Sequence, residues 1–126
     1  AATFIRAGRD LGEELALCQR FYEKSYPLMT APATASALSG YSAVVSARAG
    51  NQSWAHSTFK ATKRAIPSMT VYSPVTGASG NVRDDSAIAD RGATTSGIGI
   101  CQFVMDCDGG GGGSPFRWHW TADAEL

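Results

Sequence analysis

Two hydrophobic periods divide the chain, changing over near residue 20. Leu11, Leu15, Cys18 and Tyr22 fall at i, i+4, i+7 and i+11, the repeat of a short amphipathic helix. Asp10, three residues before Glu13, has the capping-box form, in which each side chain satisfies a backbone N–H at the helix start. Pro27 biases Tyr26 away from helical geometry. The pattern predicts a helix to about Cys18 and a strand from about Arg20 to Tyr26, with the stripe docked on a core.

Beyond this segment the texture is that of strands. The stretch Pro27–Gly40 (PLMTAPATASALSG) is too poor in large apolar residues to nucleate a core and reads as a long loop. YSAVVSARAG, from Tyr41, predicts a strand ending at a Gly50-Asn51 turn. WAHSTFKATKR alternates, placing Trp54, His56, Thr58 and Lys60 on one face and Ala55, Ser57, Phe59 and Ala61 on the other. SMTVYS follows with Met69 and Val71 inward, and Pro74–Gly80 forms a loop or hairpin turn. NVRDDSAIADRG reads as an edge strand and a polar loop. Gly97–Met105 (GIGICQFVM) is apolar on both faces, as expected of a strand covered on both sides. The five glycines Gly109–Gly113 form a loop of maximal backbone freedom. In the closing PFRWHWTADAEL, Phe116, Trp118 and Trp120 point inward while Arg117 and His119 point outward.

About six to eight strands with one short N-terminal helix predict an all-β domain, a β-sandwich or jelly roll. At 126 residues the chain can bury a core without metal or disulfide staples. Residues 1–10 read as a linker from an upstream domain and 11–126 as the domain itself. Eleven Lys and Arg balance eleven Asp and Glu, so no basic field exists to hold nucleic acid. No apolar run approaches the length of a spanning helix, and membrane insertion is not expected. Three cysteines, Cys18, Cys101 and Cys107, cannot all pair within one chain; buried free thiols and a reducing compartment of assembly are the expectation.

Four strings share a resemblance: ATFI (Ala2–Ile5), GEELALCQRFY (Gly12–Tyr22), PSMTVYSPVTG (Pro67–Gly77) and WTADAEL (Trp120–Leu126). In this order they resemble the C-terminal domains of bacteriophage and prophage tail fibre or tail spike proteins. ATFI lacks that group's usual Pro and Glu. The resemblance implies a non-enzymatic tip of a homotrimeric fibre, assembled in the host cytoplasm and carried on the virion. Its partner would be a bacterial surface polysaccharide or another cell-surface receptor. The shared strings are scaffold, so no functional residue is carried over with them.

Candidate chemistry must then come from the residues themselves. His56 and His119, the only histidines, lack the close ligand pairs of a zinc site. Asp106–Gly109 has the start of a calcium loop but continues in glycine, and reads as a flexible loop. A glycosidase needs paired carboxylates across a cleft; Asp84, Asp85, Asp90, Asp106, Asp108, Asp123 and Glu125 all fall in predicted turns or near ends. No G-x-S-x-G string suggests an acyl nucleophile, and neither cofactor nor catalysis is expected. Glycan binding uses an exposed aromatic face with polar side chains beside it. Asn51, Trp54, His56 and Lys60 fit this, as do the outward Arg117 and His119. The competing reading buries Trp54 beneath a loop. A purely structural role as a trimerisation or folding cap remains a second alternative.

Overall fold

Pairing in this protein converges on its last strand. A computed structural model describes residues 10–45, 52–108 and 114–125. In chain order its elements are α1 (Leu11–Gln19), β1 (Tyr22–Lys24), β2 (Ser42–Val45), β3 (Gln52–Thr58), β4 (Ser68–Tyr72), β5 (Asn81–Asp84), β6 (Ala89–Ser96), β7 (Gln102–Asp108) and β8 (Pro115–Asp123). The fold is all-β with one short helix, as the sequence predicts, and the eight strands form an antiparallel, curled sheet. Along it the order is β1-β8-β5-β6-β7-β3, with β2 and β4 also paired to β8. One edge of β8 bonds β1 through Thr121–Asp123 and β2 through Pro115–Trp118. The other bonds β4 through His119–Asp123 and β5 through Phe116–Arg117.

The curl brings β7 and β8 face to face. Phe103, Met105 and Cys107 from β7 meet Phe116, Trp118 and Trp120 from β8, with Val71 and Val82 filling the space between. Phe59, Phe103 and Trp120 pack with ring centroids 5.3–5.7 Å apart, within the range of favourable aromatic pairs. The predicted inward stripe of the last strand is therefore correct, and so are the inward placements of Val71 and, partly buried, Met69.

Four expectations shift. Apolar residues from Gly97 to Cys101 do not join a strand: β7 begins at Gln102 and runs to Asp108, so Asp106 lies in a strand and not in a loop. Only one face of β7 is buried; Val104 is half-exposed on the other. NVRD is not an edge strand, because β5 lies between β8 and β6. Its Asp84 is buried and accepts the Ser86 and Ala87 amides, which tightens the turn into β6. Among the thiols, Cys107 is buried as expected, whereas Cys18 and Cys101 are exposed. Asn51, the Gly50-Asn51 turn, most of the linker segment and the Gly109–Gly113 loop lie outside the described residues.

The helix departs furthest from its pattern. Asp10 does cap it, its Oδ1 accepting the Glu13 amide at 2.8 Å. Yet no residue of α1 is buried, and Leu11 and Leu15 remain 76% and 44% exposed. What anchors the helix is polar. The Lys63 ammonium donates to the Gln19 carbonyl at 2.7 Å, at the end where the helix dipole favours a cation. The same ammonium donates to Glu23 Oε2 at 2.5 Å and the Ala61 carbonyl at 3.0 Å, and lies over the Phe59 ring.

Glu23 is the buried residue of β1, so the strand turns a carboxylate inward and leaves Tyr22 exposed. Its Oε1 accepts the Lys60 amide at 2.9 Å and its Oε2 the Ala61 amide at 3.5 Å. These bonds hold the backbone just beyond the end of β3 at Thr58.

A fully bonded buried pair can be close to neutral for stability, but removing one partner strands a charge. Lys63→Met is expected to cost about 3–5 kcal/mol in urea unfolding. The double variant Glu23→Gln, Lys63→Met should lose less than the sum of the two single changes. A Lys63→Met cost under about 1 kcal/mol would contradict this account of the clip.

Candidate functional site

Because side chains alternate along a strand, the face of β3, β7 and β6 turned away from the core is fixed once the core is known. Ala55, Phe103 and Met105 point inward. Trp54 on β3 therefore stands in register with Asp106 on β7 and Thr94 on β6. The next outward row is His56, Val104 and Ser96. Trp54 is 65% exposed, a large value for an indole, and it does not lie beneath a loop among the described residues. It forms one wall of an open groove that continues over Asp106, Thr94, Gly92, Asp90 and Gly80.

Hydrogen bonds hold this surface in place. Ser96 Oγ donates to Asp106 Oδ2 across the ladder, and His56 Nε2 donates to Gln102 Oε1 at 2.7 Å. Asp90 accepts from Ser73 Oγ at 2.7 Å and from Thr76 Oγ1, and lies 3.5 Å from Arg83 Nη1. Arg91, at the groove's edge, gives its Nε to Asp84 at 2.5 Å. Burial pushes the Asp84 carboxyl up, but Arg91 and the Ala87 and Ser86 amides outweigh it and hold the group below the ordinary aspartate range. Chemically, the groove offers one indole face, hydroxyls and the carboxylates of Asp90 and Asp106, which suits stacking and hydrogen bonding.

No family model, curated protein or solved structure matches this chain.

Of the residues expected from the sequence, Trp54 and His56 share this face. Lys60 does not join them: it is exposed in the segment after β3, where its amide is held by Glu23, and it borders a separate groove beside Tyr22 and Leu28. Arg117 stands on β8, four strand steps away along the order β8-β5-β6-β7-β3. Its guanidinium donates to Asp85 Oδ1 at 2.5 Å and lies over Tyr41, and Asp85 raises its pKa above the ordinary arginine value. Asp106, Thr94, Ser96 and Gly92 were missed. Following the alternation of Phe103, Met105 and Cys107 two residues past Met105 would have put Asp106 outward on a strand.

His119 corrects the expectation most sharply, for it is fully buried. The outer face of β8 is not free, because the segment after β1 folds over it. Tyr26 stacks on the imidazole at 3.9 Å, and His119 Nε2 donates to the Ala37 carbonyl at 2.7 Å. That bond fixes the tautomer, so Nδ1 accepts from Ser25 Oγ at 2.8 Å. Ser25 Oγ also accepts the Trp120 amide at 2.8 Å, which welds the chain leaving β1 to β8. The serine–histidine pair thus serves as a packed joint. Gly40 completes it with φ +80°, since a Cβ there would meet the Ser25 carbonyl oxygen at 2.5 Å.

Burial disfavours the imidazolium and lowers the His119 pKa, with the Ala37 carbonyl acting in the opposite sense. On acidification the unfolded chain takes up this proton before the folded one. The stabilisation is complete above the ordinary histidine value of about 6.5 and is lost as pH falls below it. Melting temperature should therefore fall between about pH 7 and pH 5. In His119→Gln that slope should flatten although the variant is less stable throughout; an unchanged slope in thermal melts would assign it to other groups.

Proposed function

We propose that this domain is the receptor-binding tip of a phage tail fibre, adhering through the Trp54 groove to a bacterial surface glycan without cleaving it. The observation that carries this reading is the exposed indole standing over an open, hydroxyl- and carboxylate-lined trough. A sugar ring offers an apolar face to stack on Trp54 and hydroxyls for the flanking acceptors. The resemblance of the four sequence strings to tail fibre domains supports the setting, a homotrimer on the virion. Three modest sites on one rigid trimer would act together, each bound arm raising the effective concentration of the next.

A second reading has its own observation. Leu11, Leu15, Phe21, Tyr22 and Leu28 are all exposed, and this apolar surface around α1 suits a domain whose task is to register neighbouring chains as a trimerisation or folding cap. Removing the domain separates the readings: loss of fibre assembly favours the cap, and loss of host attachment alone favours the adhesin.

The direct test is binding of the purified protein to host surface polysaccharide, by pull-down and calorimetry. Trp54→Ala should weaken binding at least tenfold, a loss of about 1.4 kcal/mol. Its unfolding free energy should stay within about 0.5 kcal/mol of the parent because the side chain is exposed. Full binding by Trp54→Ala, or no binding by the folded parent to any host surface fraction, would overturn the proposal.

A further inference from the structure

We infer that the groove takes an extended, uncharged glycan laid across the strands from Trp54 over Gly92 towards Gly80, and not a single terminal sugar or an acidic chain. This rests on the glycan-binding reading above and narrows it to a class of ligand.

The extent of the groove comes first. Trp54 is on β3 and Gly92 on β6, two strand spacings apart, or roughly 10 Å. Gly80 lies beyond, its carbonyl accepting the Ala93 amide at 2.9 Å. An indole alone would serve one sugar, so the trough extends past what a monosaccharide needs.

Gly92 keeps that trough open. A glycine inside a strand weakens it and often marks a place where something approaches the backbone closely. A Cβ built on Gly92 meets nothing within 4 Å, and its φ is not in the left-handed region. Packing within the described residues therefore does not require a glycine there. What a side chain would fill is the floor of the groove.

Charge sets the class. Among the described residues, both guanidinium groups beside the trough are already held by carboxylates, Arg91 by Asp84 and Arg83 by Asp90. Asp90 is further engaged by Ser73 and Thr76. Asp106 takes Ser96 on Oδ2, which among the described residues leaves Oδ1 as an acceptor beside Trp54. Sugar hydroxyls can donate to that oxygen and exchange bonds with Thr94, whereas a uronate or phosphate would face Asp106 with no free cation among the described residues to balance it.

The test uses the whole protein on an array of neutral and acidic bacterial surface oligosaccharides of graded length, with Trp54→Ala, Gly92→Leu and Asp106→Asn alongside. Neutral chains should bind, and more tightly as they lengthen beyond one sugar. Gly92→Leu should weaken the longer chains at least tenfold while its melting temperature stays at or above the parent's. Asp106→Asn should weaken neutral chains several-fold, which serves if Gly92→Leu fails to fold. Trp54-dependent binding of acidic chains as tight as that of neutral ones would overturn the inference and leave the adhesin reading standing. So would equal affinity for a monosaccharide, or a folded Gly92→Leu that binds like the parent. Absence of binding to any glycan would overturn both.

Discussion

Everything in this fold depends on one nine-residue strand giving hydrogen bonds along both of its edges to four others. Backbone N–H and C=O groups buried in a sheet must be paired, and β8 is buried on both faces over much of its length. Its inner face carries the aromatic core, and its outer face is closed by Tyr26 and the segment reaching Ala37. Because β1, β2, β4 and β5 all pair with β8, which follows them in the chain, the sheet is built from contacts distant in sequence. Such topologies fold slowly relative to their size, since chain entropy is lost before the pairing compensates for it.

What the sequence displays is the pattern of apolar residues, and where apolar packing decides the outcome it is readable. Phe116, Trp118 and Trp120, and the alternation of Trp54 and Ala55, could be placed from spacing alone. The helix and its Asp10 cap are legible for the same local reason. Buried polar residues are not legible in the same way. Glu23, Lys63 and His119 are polar residues that the fold buries, and hydropathy assigns such residues to the surface. Each is inside because a particular distant group satisfies it, and no local period encodes a partner some 40 or 94 positions away.

The candidate site shows the same division. Trp54 and His56 were visible because their strand alternates without interruption up to Thr58. Lys60 was lost to them because the Glu23 carboxylate captures the backbone beyond that point. Asp106 was hidden by its neighbours: a run leading into glycines reads as a loop, although Cys107 is as buried as Met105. Gly92 carries no signal in a single sequence at all. Empty space above its backbone together with a φ outside the left-handed region distinguishes it from a glycine needed for a turn, such as Gly77, where the backbone of Ala33 presses close and φ is +75°.

The groove proposed for binding lies on the outward positions of a ladder, and not on loops, which has a consequence for how such a protein can change. Along β3 and β7 each groove residue is flanked by a core residue pointing the other way, so one register serves two independent purposes. Exchanging Trp54, Asp106, Thr94 or Ser96 redraws the groove while Ala55, Met105 and Cys107 keep their packing. Were the proposed adhesin role correct, ligand preference would drift by single substitutions without first acquiring spare stability, while the core-facing positions of the same strands stayed as they are.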